Sequence, residues 1–116
     1  MSLLDRRLTM SRPPLGLALS HDSIGQAEVT VHAWRQFRAR AHQLRQWQAR
    51  SRVVSAISLS FKQGLAVRPS PYEAVMARRQ RRARTVWFIC DNRFRVKHVV
   101  ALSRKGQQKI VTVVPF

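Results

Sequence analysis

The chain predicts an α+β fold, with two or three N-terminal helices packed on a three- or four-stranded antiparallel sheet. Three observations carry this reading. Apolar residues recur every three to four positions from Trp34 to Trp47, Ser70-Pro71-Tyr72-Glu73 reads as a helix start, and from Thr85 the apolar period drops to two.

Residues 1–28 hold Arg6, Arg7 and Arg12 against Asp5, Asp22 and Glu28, so this stretch is neutral, and Pro13-Pro14 interrupts any helical pattern. It is expected to be a flexible tail ahead of a single basic domain at 29–116. From Val31 to Gln48, Trp34, Phe37, Ala41, Leu44 and Trp47 form the apolar stripe of a helix, with Arg35, Arg38, Arg40 and Arg45 off that stripe. That spacing makes the stripe core, and a base-stacking role for its aromatic rings the lesser reading. A second helix at 52–63 takes Val53, Val54, Ile57 and Phe61 as its buried side, with Ser51 to cap it and Gly64 to close it. At 70–73 serine can cap, proline fits the first helical position and glutamate completes a capping box. That helix runs into Arg78, Arg79, Arg81, Arg82 and Arg84, five arginines within seven residues.

Beyond it, Thr85–Cys90, Arg93–Leu102 and Gln108–Val114 alternate as strands. Asp91-Asn92 suits a two-residue hairpin turn, and Ser103 to Gln107 form a longer loop with a glycine. In the middle strand, Phe94, Val96, His98, Val100 and Leu102 fall on one side and Arg93, Arg95 and Lys97 on the other. The expected sheet thus has an apolar face and a cationic one. Trp87 alternates away from Val86, Phe88 and Cys90, and would lie on a sheet face as an indole. A helix-turn-helix unit at 31–63 is the structural rival, but its second helix offers Val, Ile, Ser and Phe where base-reading polar side chains belong.

Charge names the partner class. Of the 22 Lys and Arg, 19 lie in residues 29–116 against two carboxylates, Glu73 and Asp91, so the formal net charge of +17 belongs to the domain. A compact body so lopsided repels itself unless polyanion supplies counter-charge, and nucleic-acid phosphate is the commonest supplier. Arg35, Arg38, Arg78, Arg79, Arg81, Arg82, Arg84, Arg93, Arg95 and Lys97 are the expected phosphate contacts. The single cysteine, Cys90, lies in an apolar run; it excludes an internal disulfide framework and suggests a reducing, cytoplasmic setting. No run approaches the about 18 apolar residues of a membrane span, so no membrane partner is expected.

Val29 to Arg40 resembles the start of small bacterial and phage proteins that open on a His-Ala-x-x-Arg-Phe-x-x-Arg helix, and Ile110 to Val114 resembles their closing Val-Thr-Val strand. Those proteins are similar in order and shape to the barnase, colicin and RelE-like group of toxin ribonucleases. His32, Phe37, Arg40 and Thr112 match; Gln36 stands where the family has its first arginine. The resemblance implies RNA as substrate, in preference to DNA, with the ribosome as a setting and an acidic antitoxin or inhibitor as a partner.

Two carboxylates are too few for two-metal chemistry, so no cofactor or metal is expected, and cleavage would proceed by attack of the RNA 2′-hydroxyl to give a cyclic phosphate. His32 is then the acid or base, Arg40 a phosphate clamp and Thr112 an orienting hydroxyl; His98 is the weaker candidate, and neither His21 nor His42 has a partner visible in sequence. The alternative is a non-catalytic nucleic-acid-binding accessory protein of a phage or ribosome.

Overall fold

A computed structural model describes residues 17–41, 49–81 and 85–115. The chain runs β1 (Ala18–His21), β2 (Gly25–Val29), α1 (Val31–Arg40), α2 (Arg50–Gln63), β3 (Leu65–Val67), α3 (Pro71–Arg81), β4 (Thr85–Asp91), β5 (Val96–Leu102) and β6 (Gln108–Pro115). The strands form one six-stranded sheet in the order β1-β2-β6-β5-β4-β3. Every neighbouring pair is antiparallel except β2 with β6, which is parallel.

This corrects the expected architecture. The sheet is larger, mixed and curled into a half-barrel, and it dominates three short helices instead of lying beneath an N-terminal helical layer. The three added strands are short, and two are polar, Ala-Leu-Ser-His and Gly-Gln-Ala-Glu-Val, so neither charge nor apolar alternation marks them. The boundary at residue 28 moves with them. Residues 18–29 are a hairpin within the sheet, burying Leu19, Ala27 and Val29, while residues 1–16 lie outside the described residues. Its three-residue loop closes on Gly25 at φ +81°, a left-handed geometry that glycine adopts without a Cβ clash.

The core lies between the sheet and α1 and α2. Ala33, Trp34 and Phe37 of α1 and Val53, Ile57 and Phe61 of α2 meet Val96, Val100, Ile110 and Val113. Thr30 fastens α1 to the sheet: its hydroxyl accepts from Ala33 N–H at 3.1 Å and donates to Ile110 O at 3.0 Å. Helix α1 stops at Ala41, whose backbone turns extended, and Arg45 and Trp47 lie outside the described residues.

Helix α2 begins at Arg50 with no side-chain cap, so Ser51 sits inside its first turn. Gly64 does close it, its N–H reaching Ser60 O at 3.1 Å, but at φ −68°. What glycine provides there is room, since a Cβ would run into the Ile89 side chain and crowd Cys90 O. The capping box of α3 forms as its residues predict, Ser70 Oγ accepting from Glu73 N–H at 3.2 Å and Glu73 Oε1 from Ser70 N–H at 3.0 Å.

The β4–β5 connection is also longer than expected. Asp91 pairs with Val96, leaving a four-residue loop from Asn92 to Arg95, with Arg95 at φ +56°. Arg93, Phe94 and Arg95 are therefore turn residues. The far face of the sheet is accordingly not a cationic row: Val86, Phe88, Val99 and Ala101 are buried there, Lys97 alone of the three cations stands on it, and α3 packs against β4. No helix among the described residues is long and apolar enough to cross a membrane.

Candidate nucleic-acid interface

Neither α1 nor α2 contains a carboxylate, and each carries three cations: Arg35, Arg38 and Arg40 on the first, Arg50, Arg52 and Lys62 on the second. Because Trp34 and Phe37 turn one side of α1 to the core, His32, Arg35 and Arg40 are left exposed. Arg38 lies half-buried with its guanidinium 5.6 Å from the Trp34 ring centre. The Arg40 Nε donates to Gln36 Oε1, one helical turn back.

The last turn of α1 is brought to the β4–β5 turn by an edge-to-face contact between Phe37 and Phe94, 5.7 Å between ring centres. Arg93 and Arg95 flank Phe94 and are exposed, with the Arg93 guanidinium 5.6 Å over the Phe94 ring. One apolar contact thus sets the last turn of α1, which carries Arg38 and Arg40, against the turn that carries Arg93 and Arg95. Of the four carboxylates among the described residues, Asp22 and Glu28 are exposed on the β1–β2 hairpin and the other two serve local structure. Asp91 is buried in turn construction, accepting from Gln63 Nε2 at 2.9 Å, Arg93 N–H at 3.0 Å and Phe94 N–H at 3.3 Å. Glu73 is engaged by Ser70, whose backbone amide and hydroxyl hold its carboxyl below the usual range.

The residues proposed for catalysis do not converge. Thr112 pairs with Val99, which faces the buried cluster on the far side of the sheet, whereas α1 with His32 and Arg40 packs on the near side. Thr112 is itself buried. A β-bulge between Val99 and Val100 causes this placement, because Ile110 pairs with Val100 and Val111 is skipped, so Thr112 and Val113 exchange the faces that plain alternation from Ile110 assigns.

His98 is a core residue. Its ring stacks on Phe37 at 5.8 Å, meets Phe61 edge-on at 5.9 Å, and its Nε2 lies 2.8 Å from Ser60 Oγ. Burial pushes its pKa down to about 4, against a smaller opposing pull from Asp91. His21, visible in sequence only as a tail residue, is structural. Ser23 N–H donates to its Nδ1, so Nε2 carries the proton and donates to Gly64 O at 2.8 Å, tying β1 to the end of α2.

Of the remaining expected contacts, Arg79 is exposed on α3, Arg78 and Arg81 belong to the same helix, and Arg82 and Arg84 lie outside the described residues, as does His42. Lys97 is half-buried, its Nζ 4.3 Å from the Phe88 ring centre. Cys90 is half-buried and its thiol is raised by burial, which leaves it a poor nucleophile. Sequence reasoning passed over Arg68, exposed and 5.1 Å over the half-buried Trp87 ring, because an isolated cation between Val67 and Pro69 belongs to no pattern. Comparison with protein families, characterised proteins and solved structures finds no match to this chain.

Proposed function

We propose that this chain is a nucleic-acid-binding protein, with RNA its favoured ligand, that grips the phosphate backbone at the corner where α1 meets the β4–β5 turn. The Phe37–Phe94 contact carries this reading, since it sets the last turn of α1, with exposed Arg40, against the turn that carries exposed Arg93 and Arg95. Guanidinium groups held on a rigid corner suit phosphate oxygens, which accept paired N–H donors. Asp91 is buried in the turn, Glu73 is engaged by Ser70, and Asp22 and Glu28 lie on the β1–β2 hairpin. RNA ranks above DNA through the likeness of the α1 and β6 motifs to the toxin ribonuclease group.

Binding without cleavage is the better-supported form of this reading. Cleavage by the 2′-hydroxyl needs base, acid and cation around one phosphate. His32 and Thr112 lie on opposite sides of the sheet, and His98 is sealed between two phenyl rings.

Fluorescence anisotropy with a labelled single-stranded RNA and a duplex DNA, titrated across salt, tests the proposal. Log affinity should fall linearly with log salt, by about 0.7 per phosphate contact on a single strand, and replacing Arg40 and Arg93 with glutamate should flatten the line. RNA incubated in EDTA should stay intact; cyclic-phosphate ends that vanish with His32→Ala would restore the nuclease. Absence of salt-sensitive attachment to either polymer would end the reading.

A further inference from the structure

Apart from Leu59 on α2, the exposed large hydrophobic side chains among the described residues fall within 65–75, with Leu65 71% exposed and Tyr72 74%, and Val67 and Val75 near them in the chain. Leu65 and Val67 stand on β3, which among the described residues pairs only with β4, while His21 of β1 donates to Gly64 O just before it. Leu65 pairs with Cys90 and Val67 with Phe88, so both side chains fall on the far face, and α3 packs against the neighbouring β4. Tyr72 and Val75, three residues apart, share one stripe of that helix. Apolar patches of this kind, rimmed by charge, mark interaction sites.

The rim is mainly cationic, with Glu73 its exposed carboxylate. Exposed Lys62 and Arg68 bracket β3 in the chain, and exposed Arg79 lies two turns along α3 from Tyr72. We propose that this patch binds an acidic partner protein, one of whose extended segments adds to the open edge of β3, with apolar side chains on Leu65 and Val67 and carboxylates toward Lys62 and Arg68. Charge complementarity selects such a partner over a second copy of this basic chain. The aliphatic members Leu65, Val67 and Val75 favour protein over nucleic acid, since they offer bases neither stacking nor hydrogen bonds, and Tyr72 is the one ring among the four. An edge strand supplies the main-chain pairing that gives such segments affinity. The shortness of β3 and the cations at its ends discourage strands that lack matching acids.

The full-length chain, isotope-labelled, can be titrated with a synthetic peptide alternating glutamate and valine, and with a control of equal composition in which the two residue types form separate blocks. The alternating peptide should slow amide exchange at residues 65–67 and bind about tenfold more tightly than the control. Val67→Glu, at an exposed site, should weaken it about tenfold while leaving the far-UV spectrum unchanged. Equal binding of the two peptides, no protection at β3, indifference to Val67→Glu, or self-association of the free chain through this patch would each overturn the proposal.

Discussion

Ser60 and His98 meet at 2.8 Å in the middle of the core, Oγ to Nε2, joining the last turns of α2 to the central strand of the sheet. The imidazole Nδ1 is buried and has no hydrogen-bond partner among the described residues. A neutral ring tolerates this, but a charged ring would bury a second N–H with nothing to receive it. Phe37 and Phe61 line the site, Asp91 is the charged group that acts on it, and burial outweighs that attraction.

Acid should therefore unfold the protein through His98. The unfolded imidazole protonates near its ordinary 6.5 and the folded one near 4, so between these values the unfolded chain binds more protons and stability falls as pH falls. The contribution is complete above 6.5, is lost progressively down to 4, and amounts to about 3 kcal/mol. Urea unfolding at pH 7, 5.5 and 4 measures it, and His98→Gln should flatten that dependence while lowering stability at pH 7.

Asp91 organises the β4–β5 turn, and its carboxylate serves architecture. Asp91→Ala removes the acceptor for two loop amides and for Gln63, and should destabilise the fold by about 2 kcal/mol. Because the same loop presents Arg93 and Arg95, nucleic-acid affinity should fall as well. A thermal melt paired with an anisotropy titration separates the two effects. Unchanged stability would place the turn's rigidity elsewhere.

What the chain discloses before folding depends on whether its signals are local. The capping box at Ser70 and Glu73 was legible because four adjacent residues make it, and the Trp34–Phe37 face because period alone decides it. The β1–β2 hairpin was not, since its strands are short and gain their meaning from β6, eighty residues away in the chain. Motif likeness gives Thr112 a place in the site, and a single bulge sends it to the other face. Arg93 and Arg95 were recognised as cations, but as strand residues. Alternation cannot reveal that Asp91 closes a four-residue loop and shifts them both into a turn.

Arg95 sits at φ +56°, where a Cβ is disfavoured, in a loop that presents cations. Arg95→Gly should relieve that strain and raise stability by about 1 kcal/mol, while reducing the salt slope of RNA binding by about 0.7. Opposite signs in two assays on one variant would mark a residue kept for its charge at the expense of its backbone. If stability rises and the slope is unmoved, Arg95 does not touch phosphate.

Gly64 stands where three elements converge: the end of α2, the start of β3 and the Ile89 side chain of β4. Its carbonyl also receives the His21 Nε2 proton, so movement there loosens the fastening of β1. Gly64→Ala keeps an ordinary φ, and its penalty comes from contact with Ile89 and Cys90 O. It should destabilise by about 2 kcal/mol in chemical denaturation. Ile89→Ala added to it should recover part of that loss, because the second substitution empties the space the new methyl needs. Strict additivity of the two losses would show that the methyl is accommodated by backbone movement instead.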